Sequence, residues 1–234
     1  GSMDIDSEFV HEIQGKFKEF VLNNYSSLSS YSSYEGPVLI NRALDYIIRN
    51  SEKFALIVMD GMSILDWLII SEELKGISYK YSLTYALIPT ITSISRQSLL
   101  SGKLPIELEK PFNLANEKKM FIEKCKNNGY REEEIKYNRG YDIEIQHIDK
   151  CVCVIINDID DLVHSQNQGN LGMYNDVKLL SSNGKLKELI NKLYTNGFDV
   201  YIASDHGHIE TETIGNPIGV GVELETRSKK TLIL

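Results

Sequence analysis

The feature of this sequence that most constrains its fold is a set of short, mostly apolar runs separated by long helical patterns. The runs occupy residues 53–59, 151–156 and 198–203. Unbroken apolar runs of this length are typical of strands that are buried on both faces of a parallel sheet. The sequence therefore predicts an α/β fold with a mostly parallel central sheet flanked by helices. A further run, Tyr81–Ile88, is predicted as another strand of this sheet.

The N-terminal region has a different pattern and predicts a helical lead-in to the core. Residues 1–3 have the character of an expression scar, and apolar residues at helical spacing over 4–22 predict an amphipathic helix. We divide the chain into this scar, an N-terminal helical segment at 4–50 and a core at 51–234. The chain ends within a strand-like pattern, so we expect a core that is truncated at its C-terminus. An alternating pattern at 218–225 predicts a further strand.

Charge and cysteine content limit the classes of function. A formal charge of −8 argues against a protein that wraps nucleic acid on a broad basic face. The negative charge is still compatible with a phosphate substrate, because bound divalent metals would reverse the local charge. Three cysteines, Cys125, Cys151 and Cys153, are expected to be buried free thiols in a reducing compartment. Without a secretory signal or a membrane-length apolar run, the sequence predicts a cytoplasmic protein that makes no membrane contact.

Acidic residues and histidines follow the predicted strands directly. Asp60 comes after the first run, and Asp205, His206 and His208 come after the last. In open α/β sheets, ligands usually bind outside the carboxyl ends of the strands. Carboxylate and imidazole groups together suit Zn²⁺ or Mn²⁺. The alternative for Asp60, as a turn or capping residue, stays open at this point.

The third run is followed by an acidic segment that opens a helix. Asp160 and His164 are four residues apart, so one helical turn places both side chains on the same face. A pair of this kind can bind one metal ion from one side. Asp161 lies three residues before His164 and offers a second possible pairing. A solvated acidic loop is the alternative interpretation.

Hydroxyl side chains crowd the turn that follows Tyr81–Ile88. A helix is predicted to begin near Thr92 and to end at Gly102. A hydroxyl at a helix N-terminus suits a nucleophile, since the helix dipole and the free N–H groups favour an anion. Redundant helix caps are the alternative. Arg96, one turn into the helix, is expected either to bind a phosphate oxygen or to face solvent.

Taken in order, four segments carry a family resemblance. They are ALIVMDGM (55–62), LIPTITSISRQSLLSG (87–102), INDIDDLVHS (156–165) and YIASDHGH (201–208). With these segments the chain resembles the PglZ domain family of the alkaline phosphatase superfamily, which occurs in phage-defence systems and in some response regulators. The resemblance implies two divalent metal ions, most commonly zinc, with manganese or magnesium as alternatives. It also implies cleavage of phosphate esters through a hydroxyl nucleophile.

The resemblance also implies roles for individual residues. One metal would be held by Asp60, Thr92, Asp205 and His206. Thr92 would be the nucleophile, with Ser95 as the second choice, and Arg96 would bind substrate. The other metal would be held by Asp160 and His164. Members of the superfamily commonly add a distant histidine to this second site, and His208 is the candidate for that position here.

These observations lead to a functional hypothesis and a rival. The hypothesis is a two-metal phosphoesterase, more specifically a phosphodiesterase acting on a nucleotide or nucleic acid, in a phage-defence or signalling context. The rival is a non-catalytic or weakly catalytic interaction module of a BREX-type defence complex, with other defence proteins as partners. A phosphomutase or another transferase on the same scaffold is a third option.

Overall fold

The structure, a computed structural model, has a four-stranded, all-parallel sheet at its centre. It describes residues 7–31, 36–165 and 169–208, with side chains for all of these except 7–10 and 169–171. The strands are β1 (Phe54–Met59), β2 (Ile135–Arg139), β3 (Cys151–Ile156) and β4 (Asp199–Ser204). Their order in the sheet is β2-β3-β1-β4, and every pair is parallel. The predicted mixed α/β class with a parallel sheet is confirmed.

Helices connect and cover the strands. In chain order they are α1 (Ser7–Asn23), α2 (Ala43–Asn50), α3 (Ile64–Glu73), α4 (Thr92–Ser101), α5 (Glu117–Asn127), α6 (Asp158–Ser165), α7 (Gly169–Ser181) and α8 (Lys185–Thr195). Short 3₁₀ turns at Tyr25–Ser30, Ile40–Arg42, Pro105–Glu107, Leu114–Asn116 and Glu132–Glu134 join them. Within the described ranges, no helix is both long enough and apolar enough to cross a membrane.

Strand β1 lies in the middle of the sheet and is buried on both faces. Its side chains alternate between two hydrophobic clusters. Phe54, Leu56 and Val58 belong to the cluster that includes residues of α2, α4 and α5. Ala55, Ile57 and Met59 belong to the cluster that includes residues of α3, α7 and α8. The unbroken apolar run thus forms the centre of an α/β/α arrangement.

The carboxyl ends of three strands are aligned by their pairing register. Met59, the last residue of β1, pairs with Ile156 of β3 on one side and with Ser204 of β4 on the other. The residue that follows each strand, namely Asp60, Asn157 or Asp205, therefore emerges at the same edge. This edge carries the candidate site.

Cys151 and Cys153 share one face of β3, as their alternation with valines predicts. Both pack in the α2/α4/α5 cluster together with Cys125 of α5. All three are free thiols and fully buried. Burial raises the pKa of Cys153 well above the usual range for a thiol, so this part of the prediction is confirmed.

The prediction of a sheet strand at Tyr81–Ile88 is wrong. The segment makes a single isolated bridge, between Tyr85 and Leu39, and its backbone bonds to the lead-in region instead. Ile40 N donates to Tyr85 O, and Tyr25 Oη donates to Ala86 O. The physical reason is that the backbone of Tyr85 already pairs with residues 38–40, through Tyr85 N to Val38 O and Ile40 N to Tyr85 O, while β3 and β4 occupy both sides of the central strand.

Two further elements of the structure, a split helix and the strand β2, differ from what the sequence predicts. The helical pattern of the sequence over 177–194 predicts one helix, but the structure has two, α7 and α8, separated at Gly184, whose φ of 77° is left-handed. Strand β2 was not predicted, because its sequence IKYNR is polar and forms a half-exposed edge of the sheet. The predicted strand at 218–225 and the N-terminal scar lie outside the described residues.

The lead-in helix is present, but its apolar face is only partly covered. Ile13 and Phe17 are half-exposed or more, whereas Phe20 stacks on Tyr85 with a ring separation of 5.4 Å. Further along, Leu39 and Leu44 pack in the same cluster as β1. Part of the predicted N-terminal segment is therefore packed against the sheet.

Candidate metal centre

Two carboxylates and an imidazole converge at the carboxyl edge of the sheet. Asp60 follows β1, and Asp205 and His206 follow the neighbouring strand β4. One ligand atom from each of the three lies within 4.8 Å of the others. His206 Nε2 is 3.7 Å from Asp60 Oδ1 and 3.9 Å from Asp205 Oδ1. Donors bound at about 2 Å around a tetrahedral ion are roughly 3.3 Å apart, so a small contraction would form a site.

The turn after β1 positions these groups. Gly61 has a left-handed φ of 68°, which a glycine adopts without steric cost. Its N–H donates to Asp205 Oδ1 at 3.1 Å. This bond connects the end of β4 to the turn that follows β1. It involves only Oδ1 of Asp205 and not Oδ2.

Unpaired oxygen atoms support a cation at this place. Asp60 Oδ1 and Asp205 Oδ2 are buried and have no hydrogen-bond partner within the described part of the chain. Buried carboxylate oxygens normally have partners, because leaving them bare is costly. Burial, reinforced by the charge of Asp60 and opposed by His206, raises the pKa of Asp205 to about 7. The donor set of two carboxylates and one imidazole therefore fits a divalent metal.

Thr92 reaches the same cluster from a helix N-terminus. It is the first residue of α4, and Ile91 before it provides no side-chain cap. Thr92 Oγ1 lies 2.8 Å from His206 Nε2. The Ser95 hydroxyl, the second choice from sequence, is buried and has no partner in the described ranges. The geometry therefore favours Thr92 over Ser95 as the hydroxyl of this site.

Asp160 and His164 form a second pair beside the cluster. Both lie on α6, with His164 Nε2 3.4 Å from Asp160 Oδ2. A methyl group on Gly61 would lie 3.6 Å from Asp160 Oδ1, so Asp160 borders the turn after β1. Burial, with the charge of Asp60, raises the pKa of Asp160. The side chain of His164 is 77% exposed and is not part of the three-residue cluster.

His208 contacts a carboxylate on another element and lies outside that cluster. Its Nε2 is 2.7 Å from Asp66 Oδ2 on α3. Asp66 is buried, and it also accepts from the N–H and the hydroxyl of Ser63 in the capping box of α3. His208 therefore anchors the loop after β4 to the start of α3.

Arg96 is neither exposed nor open to a ligand in this structure. It is 2% exposed and forms ion pairs with Asp60 at 2.7 Å and Glu117 at 2.6 Å. Burial works against its charge, but the two carboxylates and Asp205 outweigh burial and raise the pKa of Arg96. The expectation that it faces solvent is wrong, and its assignment to substrate remains a prediction.

Sequence reasoning missed two residues at this site. Glu117 opens α5 and follows Asn116 without any motif, so only the folded chain shows its contact with Arg96. Asp66 had a readable signal, because a serine followed by an acidic residue three positions later is a capping box. Its additional contact with His208 spans 142 positions and leaves no mark in the local sequence.

Together, the parallel sheet, the ligand cluster at its carboxyl edge and the hydroxyl at a helix N-terminus define an alkaline-phosphatase-like α/β protein with a candidate centre for divalent metal. The chain belongs to the PglZ family. Residues 39–233 match the family described as the BREX system PglZ alkaline phosphatase-like domain, which confirms the resemblance in the sequence. No curated protein matches the chain.

Proposed function

We propose that this chain is a two-metal phosphoesterase with Thr92 as the nucleophile, acting on a phosphodiester of a nucleotide or nucleic acid. One observation carries the proposal. Asp60 Oδ1, which has no hydrogen-bond partner among the described residues, converges with a carboxylate oxygen of Asp205, the Nε2 atom of His206 and the hydroxyl of Thr92 at the carboxyl edge of the sheet. The preference for diesters rests on family analogy.

The proposed ligands fall into two groups. The first metal would be held by Asp60, Asp205, His206 and Thr92, and the second by Asp160 and His164, with His208 as the candidate third ligand. When bound, a divalent ion such as zinc, manganese or magnesium lowers the pKa of a coordinated hydroxyl and offsets charge on phosphoryl oxygens.

His206 is held in the tautomer that this role requires. Its Nδ1 lies 2.9 Å from the carbonyl oxygen of Gly207, which can only accept a hydrogen bond. Nδ1 therefore carries a proton, and Nε2 is the ring nitrogen that a metal beside Thr92 and the two carboxylates would bind. The backbone of the loop thus sets the direction in which His206 binds.

Thr92 would perform the bond changes. The Thr92 hydroxyl gives its proton to water, its Oγ attacks phosphorus, and the bond from phosphorus to the leaving group breaks. The leaving alkoxide takes up a proton from water. The phosphoryl group of the substrate, with its remaining ester group, is then bonded to Thr92 Oγ. Attack of water on phosphorus breaks this bond, returns a proton to Thr92 and releases the phosphate monoester. The uncapped N-terminus of α4 favours the anionic group throughout.

The test is turnover of chromogenic diester and monoester substrates by protein loaded with zinc or manganese. We expect Thr92→Ala to lower turnover at least about a thousandfold, because the attacking atom is gone. Ser95→Ala is the matched control on the same helix and should keep wild-type activity. Mass spectrometry of acid-quenched reactions should find the phosphoryl group of the substrate on Thr92, with its remaining ester group when the substrate is a diester. Full activity in Thr92→Ala would refute the assignment.

A second function, an interaction module with little or no turnover, is favoured by the contact between His208 and Asp66. While His208 holds Asp66, the second group has only Asp160 and the exposed His164. Elemental analysis separates the two proposals. Well under one metal per chain, unchanged by Asp205→Ala, would favour the interaction module.

The cellular setting is also part of the proposal. The family description names the BREX system, and on that basis we propose defence proteins as partners and phage defence as the context. Buried free thiols are compatible with a reducing compartment, so we propose a cytoplasmic location.

A further inference from the structure

A buried chain of charged side chains lies behind Asp60. Arg96 Nη1 donates to Asp60 Oδ2 at 2.7 Å, and Arg96 Nε donates to Glu117 Oε2 at 2.6 Å. The three side chains are only 2–3% exposed. One guanidinium thus joins the end of β1 to the first turn of α5.

The two oxygens of Asp60 have different surroundings. Oδ2 is occupied by Arg96, whereas Oδ1 is buried without a hydrogen-bond partner among the residues the structure describes. Oδ1 is also the oxygen 3.7 Å from His206 Nε2. Arg96 therefore orients the carboxylate of Asp60 so that Oδ1 faces the ligand cluster. Oδ2 is bonded to Arg96 and is not available to the cluster.

Glu117 is fixed in turn from the far side. Its Oε1 accepts hydrogen bonds from the hydroxyl of Tyr137 and from Arg139, both on β2. Both Glu117 oxygens are thus engaged. Its negative charge also neutralises Arg96, which leaves the charge of Asp60 available to a cation.

We propose that Arg96 and Glu117 are positioning residues that make Asp60 a ligand through a single oxygen. The inference rests on the metal site of the proposed function, but it does not depend on Thr92 or on any substrate. In this proposal Arg96 supports the metal ligand Asp60, whereas the sequence suggested that Arg96 contacts substrate. Partners of this kind orient the ligands of a metal and tune its affinity.

The test uses Co²⁺ as the probe, because its visible spectrum reports the number of bound ligands. We expect Glu117→Gln to weaken Co²⁺ binding by about 10- to 100-fold, since Arg96 is no longer neutralised and loses an anchor. In Arg96→Met, which removes the donor to Asp60 Oδ2, the second oxygen of Asp60 becomes free to bind. The molar absorption of bound Co²⁺ in the visible range should then fall, because the ion gains a ligand and its coordination number rises.

Two further variants make the test decisive. Tyr137→Phe removes a single hydroxyl, should leave the fold intact and should weaken binding in the same direction by less than about 10-fold. Ser98→Ala is the control, because this buried hydroxyl on α4 has no partner among the described residues. It should bind Co²⁺ as the wild type does. Circular dichroism checks folding in each case.

The outcomes separate the inference from the proposed function. If wild-type protein binds Co²⁺ and the folded variants bind it with the same affinity and spectrum, the positioning role is refuted while the metal site stands. If wild-type protein binds no divalent metal, the proposed site is refuted and the inference with it.

Discussion

Replacing Asp205 by asparagine should stabilise the metal-free protein while it removes metal binding. Asp205 is 1% exposed, and its Oδ1 accepts from the N–H groups of Gly61 and His206. An asparagine oxygen can accept both of these bonds. The substitution therefore removes a buried charge and keeps the local hydrogen bonds.

The magnitude follows from the pKa of Asp205. Burial raises this pKa from 3.8 to about 7 in the folded protein. A carboxyl whose folded pKa is raised destabilises the fold as pH rises from its unfolded pKa to its folded pKa. The cost is about 2 kcal/mol at pH 5 and about 4 kcal/mol at pH 8, at 1.36 kcal/mol for each pKa unit. Asp205→Asn should recover these amounts, and the gain should be larger at pH 8.

The assay is urea denaturation of chelator-treated protein at pH 5 and pH 8. Asp142→Asn, which removes an exposed carboxylate, is the control and should change little at either pH. Added Zn²⁺ should stabilise the wild type by about 2.7 kcal/mol at 100 times its dissociation constant, and should not stabilise Asp205→Asn. Equal stability of wild type and Asp205→Asn at both pH values would refute the reasoning.

Two further predictions test the turn after β1 and the buried thiols. Gly61→Ala should destabilise the fold by about 1–2 kcal/mol, because the left-handed φ of 68° at this position is strained for alanine. Urea denaturation measures the change in the free energy of unfolding, and no change would contradict the geometry of the turn. Native protein should resist thiol reagents at all three positions, Cys125, Cys151 and Cys153, and should react fully in denaturant, since each thiol is buried. Rapid modification of the native protein would show that the α2/α4/α5 cluster opens readily.

The strands that carry the site could be predicted because local pattern determines them. A mostly apolar run that ends close to a carboxylate marked Asp60 and Asp205 as candidate ligands. Alignment of the strand ends then follows from parallel pairing alone. The same reasoning failed at Tyr81–Ile88, because composition does not show which edges of β1 are already filled.

The network behind Asp60 could not be predicted, because its members are joined only by the folded chain. Arg96 and Glu117 are 21 positions apart, and their ion pair depends on how α4 packs against α5. Polar strand β2 was missed for a related reason. Its place is set by the exposed edge of β3, and the sequence IKYNR has no apolar pattern to reveal it.

The strand order has a consequence for how the protein is made. β4 pairs with β1 although it is the last of the described strands to be synthesised, so the nascent sheet has an open central edge until residues 199–204 leave the ribosome. Asp60 and Asp205 are 145 positions apart in the sequence, so they come together only after β4 has been synthesised. Pairing over such a distance is slow to form and exposes β1 to wrong partners meanwhile. A stalled or shortened product that lacks residues 199–204 should therefore aggregate through β1.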